Sequence, residues 1–321
     1  MIDITLAAQQ LRAIVAAVGT VIIGKEPMVR LVVLSLISGG HVLLEDIPGV
    51  GKTRLVSTLA RAVSCDFKRI QFTPDIMPSD ITGFSIYNQK TGEFEFRAGA
   101  AMSNFVLADE INRASAKAQA SLLEVMEEKQ VTIDSETHVL SEPFMVLATQ
   151  NPLDNLGTYP LPEAQIDRFQ IKISLGYPSF EDEMRIMTMT DEEKTSLAPV
   201  ATGDDIIEVK KRAATIHVSA HVCEYIAEIV TATRSHPSVL LGASPRGSLA
   251  LSRMSQALAL YEGRDYVLPD DVKYLAPYVL PHRLILGAEA KLDKILPVDI
   301  VREILDNVAV PPLGSIERVK K

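Results

Sequence analysis

Closely spaced glycines followed by a lysine and a threonine mark one segment of the chain as suited to holding phosphate. Gly49, Gly51, Lys52 and Thr53 come soon after an apolar run. Glycines let backbone amides turn toward phosphate, the lysine can bridge the β and γ phosphates, and the hydroxyl can bind Mg²⁺. The usual pattern, GxxxxGK[ST], has a glycine where this chain has Asp46. We therefore predict a phosphate-binding loop whose contacting residues are Pro48, Gly49, Val50, Gly51, Lys52, Thr53 and Arg54.

Two adjacent acids, Asp109 and Glu110, end a second apolar run. Alone, such a pair would indicate a solvated strand end, but after a phosphate loop the pattern favours catalysis. Asp109 would hold Mg²⁺ through water, together with the hydroxyl of Thr53, and Glu110 would polarise the attacking water. The two motifs together predict an enzyme that binds and hydrolyses ATP, with Lys52 as a further catalytic residue.

Short apolar runs alternate with amphipathic segments through the first half of the chain. This alternation is typical of a parallel sheet with helices on both faces. Glycines and prolines follow the runs, and the loops at the carboxyl ends of parallel strands usually form the site of such a sheet. The predicted strands are residues 41–45, 68–72, 105–109, 144–149 and 170–175, and a helix is predicted from Lys52 onward.

A change of pattern near residue 190 predicts a second unit. Residues 191–205 are polar and acid-rich, and beyond them apolar residues recur at three- and four-residue spacing without a convincing strand. Helix starts are readable at Ser244-Pro245 and Leu268-Pro269. We predict an α/β nucleotide-binding domain over residues 1–190, a linker over 191–205 and a helical domain over 206–321. Two alternating runs predict a β-hairpin at about residues 83–99.

Composition and charge exclude several classes of protein. The 321 residues are 47% hydrophobic and carry a net charge of −9, which argues against a constitutive nucleic-acid-binding surface. The basic cluster Lys210-Lys211-Arg212 is expected on a solvated helix face. Cys65 and Cys223 lie outside any disulfide or zinc spacing, so we expect both to be small core residues. No apolar stretch is long enough to span a bilayer, and a cytoplasmic protein is the default expectation.

Several longer stretches surround these two motifs, and through them the sequence resembles the AAA+ superfamily and, within it, the MoxR family. The resemblance runs from about residue 23 to residue 284, and Asp46 is an accepted variant of the loop in that family. The stretches that carry it are residues 44–53, 69–75, 78–83, 108–114, 148–152, 157–169 and 242–246.

The resemblance implies roles for three further polar residues. Asn151 looks like the sensor 1 residue that orients water, although an asparagine before proline also suits a plain turn. Arg168 looks like the arginine finger that reaches a neighbouring subunit's ATP, and the alternative for Asp167-Arg168 is a surface ion pair of little value. Arg246 resembles the sensor 2 arginine, and its position in the first turn of a helix suits it to meeting phosphate.

The resemblance also assigns two contact segments. Ile23 and Gly24 resemble the segment that packs against adenine, although a hydrophobic turn is nearly as consistent with them. The hairpin at residues 83–99 matches the family's helix-2 insert, so Tyr87, Phe94 and Phe96 are candidates for contacting a client protein, with simple hairpin packing as the alternative. The family's usual pattern is not kept at residues 99–101 and 115–117, which affects the loop geometry on the pore side and not catalysis.

Taken together, the residues and the resemblance lead us to expect a MoxR-type AAA+ ATPase. Its fold would be an α/β P-loop NTPase with a five-stranded parallel sheet flanked by helices and a C-terminal all-α lid domain. Its cofactors would be ATP and Mg²⁺, and its copies would assemble into a ring, expected to be hexameric, with ATP between subunits. The implied work is chaperone-like remodelling or maturation of partner complexes, including metal-cofactor insertion, often with a partner that carries a von Willebrand factor A domain.

Four other interpretations compete with this one. A magnesium-chelatase ATPase subunit shares the fold and the helix-2 insert, and only the stretches at residues 72–83 and 149–169 favour the MoxR family over it. An AAA+ nucleic-acid motor or transcription activator would need a basic channel or an added DNA-binding module. A GTPase would need Asn-Lys-x-Asp, which the sequence lacks. A module that only senses ATP is disfavoured by the joint presence of Glu110, Asn151 and Arg168.

Overall fold

A parallel sheet forms the centre of the computed structural model, which describes residues 2–151, 159–190 and 197–311. Within those residues the sheet has five strands, and all five predicted strands are confirmed to within two residues. They are β1 (Val42–Glu45), β2 (Phe67–Gln71), β5 (Phe105–Asp109), β8 (Met145–Gln150) and β9 (Ile171–Ile173). Their order in the sheet is β2-β5-β8-β1-β9, and every neighbouring pair is parallel.

Helices cover both faces of the sheet. Because successive side chains of a strand point to opposite faces, Leu43, Val106 and Val146 pack in one core and Leu44 and Leu107 in the other. Such strands are buried on both faces and therefore read as nearly continuous apolar runs. The helices of this part are α1 (Ile4–Gly19), α2 (Glu26–Ile37), α3 (Lys52–Ala62), α4 (Pro78–Thr82), α5 (Ala116–Glu128), α6 (Glu163–Ile166) and α7 (Phe180–Thr188).

Two β-hairpins are seen outside the sheet in the described residues of this part. The predicted hairpin is present as β3 (Gly83–Asn88) paired antiparallel with β4 (Glu93–Ala98). A second hairpin, which the sequence analysis did not predict, pairs β6 (Gln130–Ile133) with β7 (Glu136–Val139). The ring of Phe96 stacks on that of His138, with centroids 3.8 Å apart, so the two hairpins are in direct contact.

The C-terminal part is mainly a bundle of helices. The helices are α8 (Gly203–Ala213), α9 (Ala220–Ser235), α10 (Pro245–Tyr261), α11 (Pro269–Val279), α12 (Ala288–Leu292) and α13 (Pro297–Asn307). Ser244 caps α10 and Pro245 begins it, while Pro269 begins α11, as predicted. The sequence analysis found no convincing strand here, but β10 (Val239–Leu241) pairs antiparallel with β11 (Ile285–Leu286).

The first helices of the chain pack against this C-terminal bundle. Residues of α1, α2 and α10 belong to one hydrophobic cluster, and the Arg12 Nε–H donates to the carbonyl oxygen of Tyr261 at 3.2 Å. Part of the predicted linker, residues 191–196, and the end of the predicted helical domain, residues 312–321, lie outside the described residues. No helix in the described ranges is long and apolar enough to cross a membrane. The expectation that both cysteines are core residues was wrong, because Cys223 is exposed and Cys65 is only half-buried.

Candidate functional site

The predicted phosphate loop connects β1 to α3 at the carboxyl edge of the sheet. Gly49 and Gly51 have φ angles of 88° and 93°, values that side chains other than glycine rarely adopt. A Cβ at either glycine would have no atom within 4 Å, so the space over the loop is open. Gly51 is the N-cap of α3 and supplies no side-chain cap, which leaves the first amides of the helix available to an anion. The loop therefore fits the phosphates of ATP.

Polar side chains follow the loop at the start of α3. The Lys52 ammonium donates a hydrogen bond to the backbone oxygen of Asp46 at 2.8 Å, so it lies back across the loop. The Thr53 hydroxyl is half-buried and is available as a ligand for Mg²⁺. Arg54 and Pro48 are exposed, and Val50 packs against the hydrophobic core below the loop. These residues fit Mg-ATP with backbone amides, one ammonium and one hydroxyl.

Asp46 connects the phosphate loop to the segment that follows β9. Its side chain is only 5% exposed, and its carboxylate accepts hydrogen bonds from the Ser174 hydroxyl at 3.1 Å and from the backbone N–H groups of Leu175 and Gly176. Its own N–H donates to the oxygen of Gln150 at 3.1 Å. A glycine at this position could make none of the side-chain contacts. The departure from the usual pattern thus has a structural reason.

The predicted catalytic acids end β5 near the phosphate loop. Leu44 on β1 is in register with Thr149 on β8, and Asp109 ends β5 at the same level of the sheet. Strands two places apart are roughly 10 Å apart, a distance that one metal-phosphate group can bridge. The Thr149 hydroxyl donates to Asp109 at 2.7 Å and accepts from the N–H of Glu110 at 2.8 Å. Arg69 on β2 also pairs with Asp109 at 2.6 Å.

Glu110 is held by neighbours on both sides. Its φ of 58° is in the left-handed region, which costs a non-glycine residue about 1–2 kcal/mol and is typical of functional sites. Its carboxylate accepts from the side-chain amide of Gln71 at 3.0 Å and pairs with the Arg113 guanidinium at 3.1 Å. Sequence analysis gave no role to Gln71 or Arg113. One signal was available in the sequence: Arg69 and Gln71 are two residues apart on β2. Their side chains therefore lie on the same face of the sheet, which is the face near the acids.

Asn151 directly follows β8, the strand between the phosphate loop and the acids. It is half-buried, and its predicted contact to water or to the γ phosphate stays a prediction. The next residue of the motif, Pro152, and the stretch through residue 158 lie outside the described residues.

Arg168 and Arg246 come together at a different place, away from the phosphate loop. Both guanidinium groups pair with the carboxylate of Glu127, Arg168 at 3.0 Å. With His41 at the amino end of β1, they line a cavity of about 230 Å³. The phosphate loop follows the opposite end of β1, which is four residues long and therefore spans roughly 13 Å. Neither arginine lies at the phosphate loop of this chain.

The cavity carries an excess of positive charge. Its carboxylates are Glu127 and Asp167, whereas its cations are Lys129, Arg168, Arg246, Arg253 and Arg283. Burial lowers the pKa of Lys129, and the nearby Lys210 adds to that effect. A pocket with this charge favours an anionic group such as phosphate.

The predicted adenine segment packs against the start of α7. Ile23 is 4% exposed, and Gly24 has a φ of 70° and lies against the carboxylate of Asp182. The Lys25 ammonium donates to the backbone oxygen of Tyr177 at 2.7 Å. The adenine role of Ile23 and Gly24 stays a prediction.

Comparison with known proteins gives the class of this one. A family model described as "ATPase family associated with various cellular activities (AAA)" matches residues 41–171, and an AAA lid domain model matches residues 231–304. A solved structure from Cytophaga hutchinsonii, described as a candidate ATPase, has a TM-score of 0.90 and 41% identity over 96% of this chain and 97% of that chain. The chain is therefore an AAA+ ATPase with a C-terminal AAA lid.

Its relatives narrow the class further. Chaperone MoxR1 of Mycobacterium tuberculosis is 43% identical over 305 residues, which is 92% of this chain and 81% of that protein. Uncharacterized protein YeaC of Bacillus subtilis is 52% identical over 303 residues, or 94% of this chain and 95% of that protein. Protein MoxR of Paracoccus denitrificans is 28% identical over 298 residues, covering 85% of this chain and 87% of that protein. The chain belongs to the MoxR family, as the resemblance predicted.

Proposed function

We propose that this ATPase works as a closed ring of identical subunits, expected to be a hexamer, in which each ATP lies between two copies. The main support for the proposal is that Arg168 and Arg246 both pair with Glu127. This site lies at the amino ends of the strands, opposite the phosphate loop of the same chain. Arginines at that edge can meet phosphate only if another subunit brings it. When one face of a subunit binds a different face of the next, a ring results if the rotation closes.

Within one subunit, the loop and the acids would bind and attack ATP. Backbone amides of residues 49–54 and the Lys52 ammonium would hold the phosphates, and Glu110 would orient the attacking water with Asn151 beside it. Thr53 and Asp109 would hold Mg²⁺, which supplies neutralising charge to the phosphates when bound. Gln71 and Arg113 both contact Oε2 of Glu110, so Oε1 would be the oxygen that accepts a proton from water.

The neighbouring subunit would supply the arginines. A phosphate chain entering the cavity offers more negative charge than Glu127 alone, so Arg168 and Arg246 would exchange a carboxylate for phosphate. An arginine supplied to a transferring phosphoryl group is worth ~10³–10⁵ in rate in related enzymes, or about 4–7 kcal/mol. Each subunit would therefore need its neighbour to turn over ATP.

The work driven by ATP is proposed to be chaperone-like remodelling or maturation of partner complexes, including metal-cofactor insertion. The name of the Mycobacterium tuberculosis relative, Chaperone MoxR1, supports this kind of work. Tyr87 and Phe94 are 53% and 73% exposed on the first hairpin and are candidates for client contact, whereas Phe96 packs on the second hairpin instead. We also propose a partner with a von Willebrand factor A domain, a cytoplasmic location, and the division into residues 1–190, 191–205 and 206–321.

Two rival proposals share the ATPase activity and differ in the process that ATP hydrolysis drives. A magnesium-chelatase-like subunit would use the same ring and the same hairpin. A nucleic-acid motor or transcription activator is less consistent with a net charge of −9.

The proposal is tested by mixing two inactive variants, Glu110→Gln and Arg168→Ala, after confirming that they co-assemble. A site is intact when an Arg168→Ala subunit binds the ATP and its neighbour, a Glu110→Gln subunit, supplies the arginines. Random mixing gives this arrangement at about one quarter of the interfaces. ATPase activity should therefore return. The matched control mixes Glu110→Gln with Lys52→Ala, because neither of these can turn over ATP at its own loop. No regain in the first mixture despite co-assembly would refute the shared site.

A further inference from the structure

One buried guanidinium of the lid contacts the backbone on both sides of Arg168. Arg283 follows α11, and its side chain is only 2% exposed. It donates to the backbone oxygen of Phe169 at 2.6 Å and to those of Asp167 and Gln170 at 3.3 Å. The residues before and after Arg168 are thus fixed by one side chain that comes much later in the sequence.

Arg283 also pairs with the carboxylate of Asp167, the residue immediately before Arg168. Its Nε lies 2.9 Å from Asp167 Oδ1, but the two atoms are not aligned as a directed hydrogen bond, so this contact is mainly Coulombic. Burial lowers the pKa of Arg283 to about 10, and the charge of Asp167 opposes that shift. The guanidinium therefore stays charged near neutral pH, with Asp167 as its counter-ion.

The second oxygen of Asp167 fixes the helix that carries Arg246. Asp167 Oδ2 accepts from the Ser244 hydroxyl at 2.7 Å, and that same hydroxyl caps α10 by accepting from the N–H of Arg246 at 3.1 Å. Arg246 is the second residue of α10, so its Cα position follows from where Ser244 is held. One carboxylate thus links the backbone of Arg168 to the backbone of Arg246.

The contribution of the buried Asp167–Arg283 ion pair to stability does not by itself explain why the protein has it. Replacing a buried ion pair by apolar side chains of similar volume is often neutral or stabilising, whereas arginines that act on phosphate must be held to within roughly 0.5 Å. We infer that the Asp167–Arg283 pair positions Arg168 and Arg246 together for the neighbouring subunit's ATP. Asp167 and Arg283 are positioning residues that touch no phosphate themselves. The inference rests on the shared site proposed above.

The test uses Asp167→Asn, which keeps the shape of the side chain, and a double variant, Asp167→Leu with Arg283→Met, which leaves no buried charge unpaired. The subunit's own loop is untouched, so binding of a non-hydrolysable ATP analogue should stay within about twofold of the parent, while kcat should fall about tenfold or more. The matched control is Asp271→Asn, which disrupts another lid ion pair, with Arg264 at 2.6 Å, and should keep parental turnover.

Mixing assigns the defect to one side of the site. The Asp167 variants should regain activity when mixed with Glu110→Gln. They should regain none with Arg168→Ala, because every subunit of that mixture would lack a correctly positioned Arg168. A purely structural defect would show neither this pairing pattern nor normal analogue binding.

Each result decides the inference. If Arg168→Ala with Glu110→Gln regains activity but the Asp167 variants with Glu110→Gln do not, the positioning role is wrong and the shared site stands. Turnover of Asp167→Asn and of the double variant within about twofold of the parent would also overturn it. If no mixture regains activity, the shared site fails and the positioning role fails with it.

Discussion

Replacing Asp46 with glycine would restore the usual first glycine of the phosphate-loop pattern, and we expect it to destabilise the protein. The carboxylate accepts from the Ser174 hydroxyl and from the backbone N–H groups of Leu175 and Gly176, at a site where Asp46 is 5% exposed. Hydrogen bonds to a charged acceptor contribute about 1.5–3 kcal/mol each, but bonds that share one carboxylate do not add fully. We expect Asp46→Gly to lower the free energy of unfolding by about 3 kcal/mol.

The variant Asp46→Asn removes the charge of the side chain and keeps its shape. Its amide oxygen can still accept one hydrogen bond, but its NH₂ group faces donors rather than acceptors. The expected loss is therefore about 1–2 kcal/mol, smaller than for glycine. Both variants should also bind ATP less tightly, because the start of the loop is no longer attached to residues 174–176.

Urea unfolding followed by circular dichroism measures these losses, since the chain has no tryptophan to report by fluorescence. Asp265→Asn is the matched control, because Asp265 is exposed and should change stability by no more than about 0.5 kcal/mol. An Asp46→Gly variant as stable as this control, with parental ATP affinity, would refute the reasoning and leave Asp46 as a neutral substitution for glycine.

Three further predictions concern charge states and catalysis. Burial lowers the pKa of His41 to about 4, below the value of about 6.5 in an unfolded chain, so the unfolded state binds the proton first and stability is lost as the pH falls through that window. Between about pH 7 and pH 5, urea unfolding should show the parent losing about 2 kcal/mol more than His41→Gln, and equal losses would contradict the assignment. Lys52→Ala should abolish ATP binding, whereas Glu110→Gln should bind ATP and not hydrolyse it. Parental turnover by Glu110→Gln would remove that residue from its role.

The strands and the phosphate loop could be predicted because their signals are local. The strands β1, β5 and β8 are buried on both faces and are therefore nearly continuous apolar runs, and the loop follows the first of them at fixed spacing. The hairpin of β6 and β7 also had a local signal, since Val131 and Ile133 alternate with polar residues. Its turn residues, Asp134 and Ser135, have positive φ angles without being glycine, so the usual turn signal was missing.

Contacts between distant parts of the chain could not be predicted. Asp167 and Arg283 are 116 residues apart, and nothing in either local sequence indicates that they pair. The strands β10 and β11 have three and two residues and are stabilised by each other rather than by a local pattern. The sequence analysis gave Arg168 and Arg246 two separate roles, but the sequence contained no signal that both side chains would contact Glu127.

The proposed shared site uses both ends of the parallel strands, and helix α5 runs from one end to the other. It begins shortly after the catalytic acids and ends at Glu128, so its 13 residues span about 20 Å and bring Glu127 to the opposite edge. Glu110 would act on the subunit's own ATP, whereas Glu127 holds the arginines that the same subunit would lend to its neighbour. In the proposed ring, this single helix would be the direct connection between the acids that act on a subunit's own ATP and the arginines that the subunit lends to its neighbour.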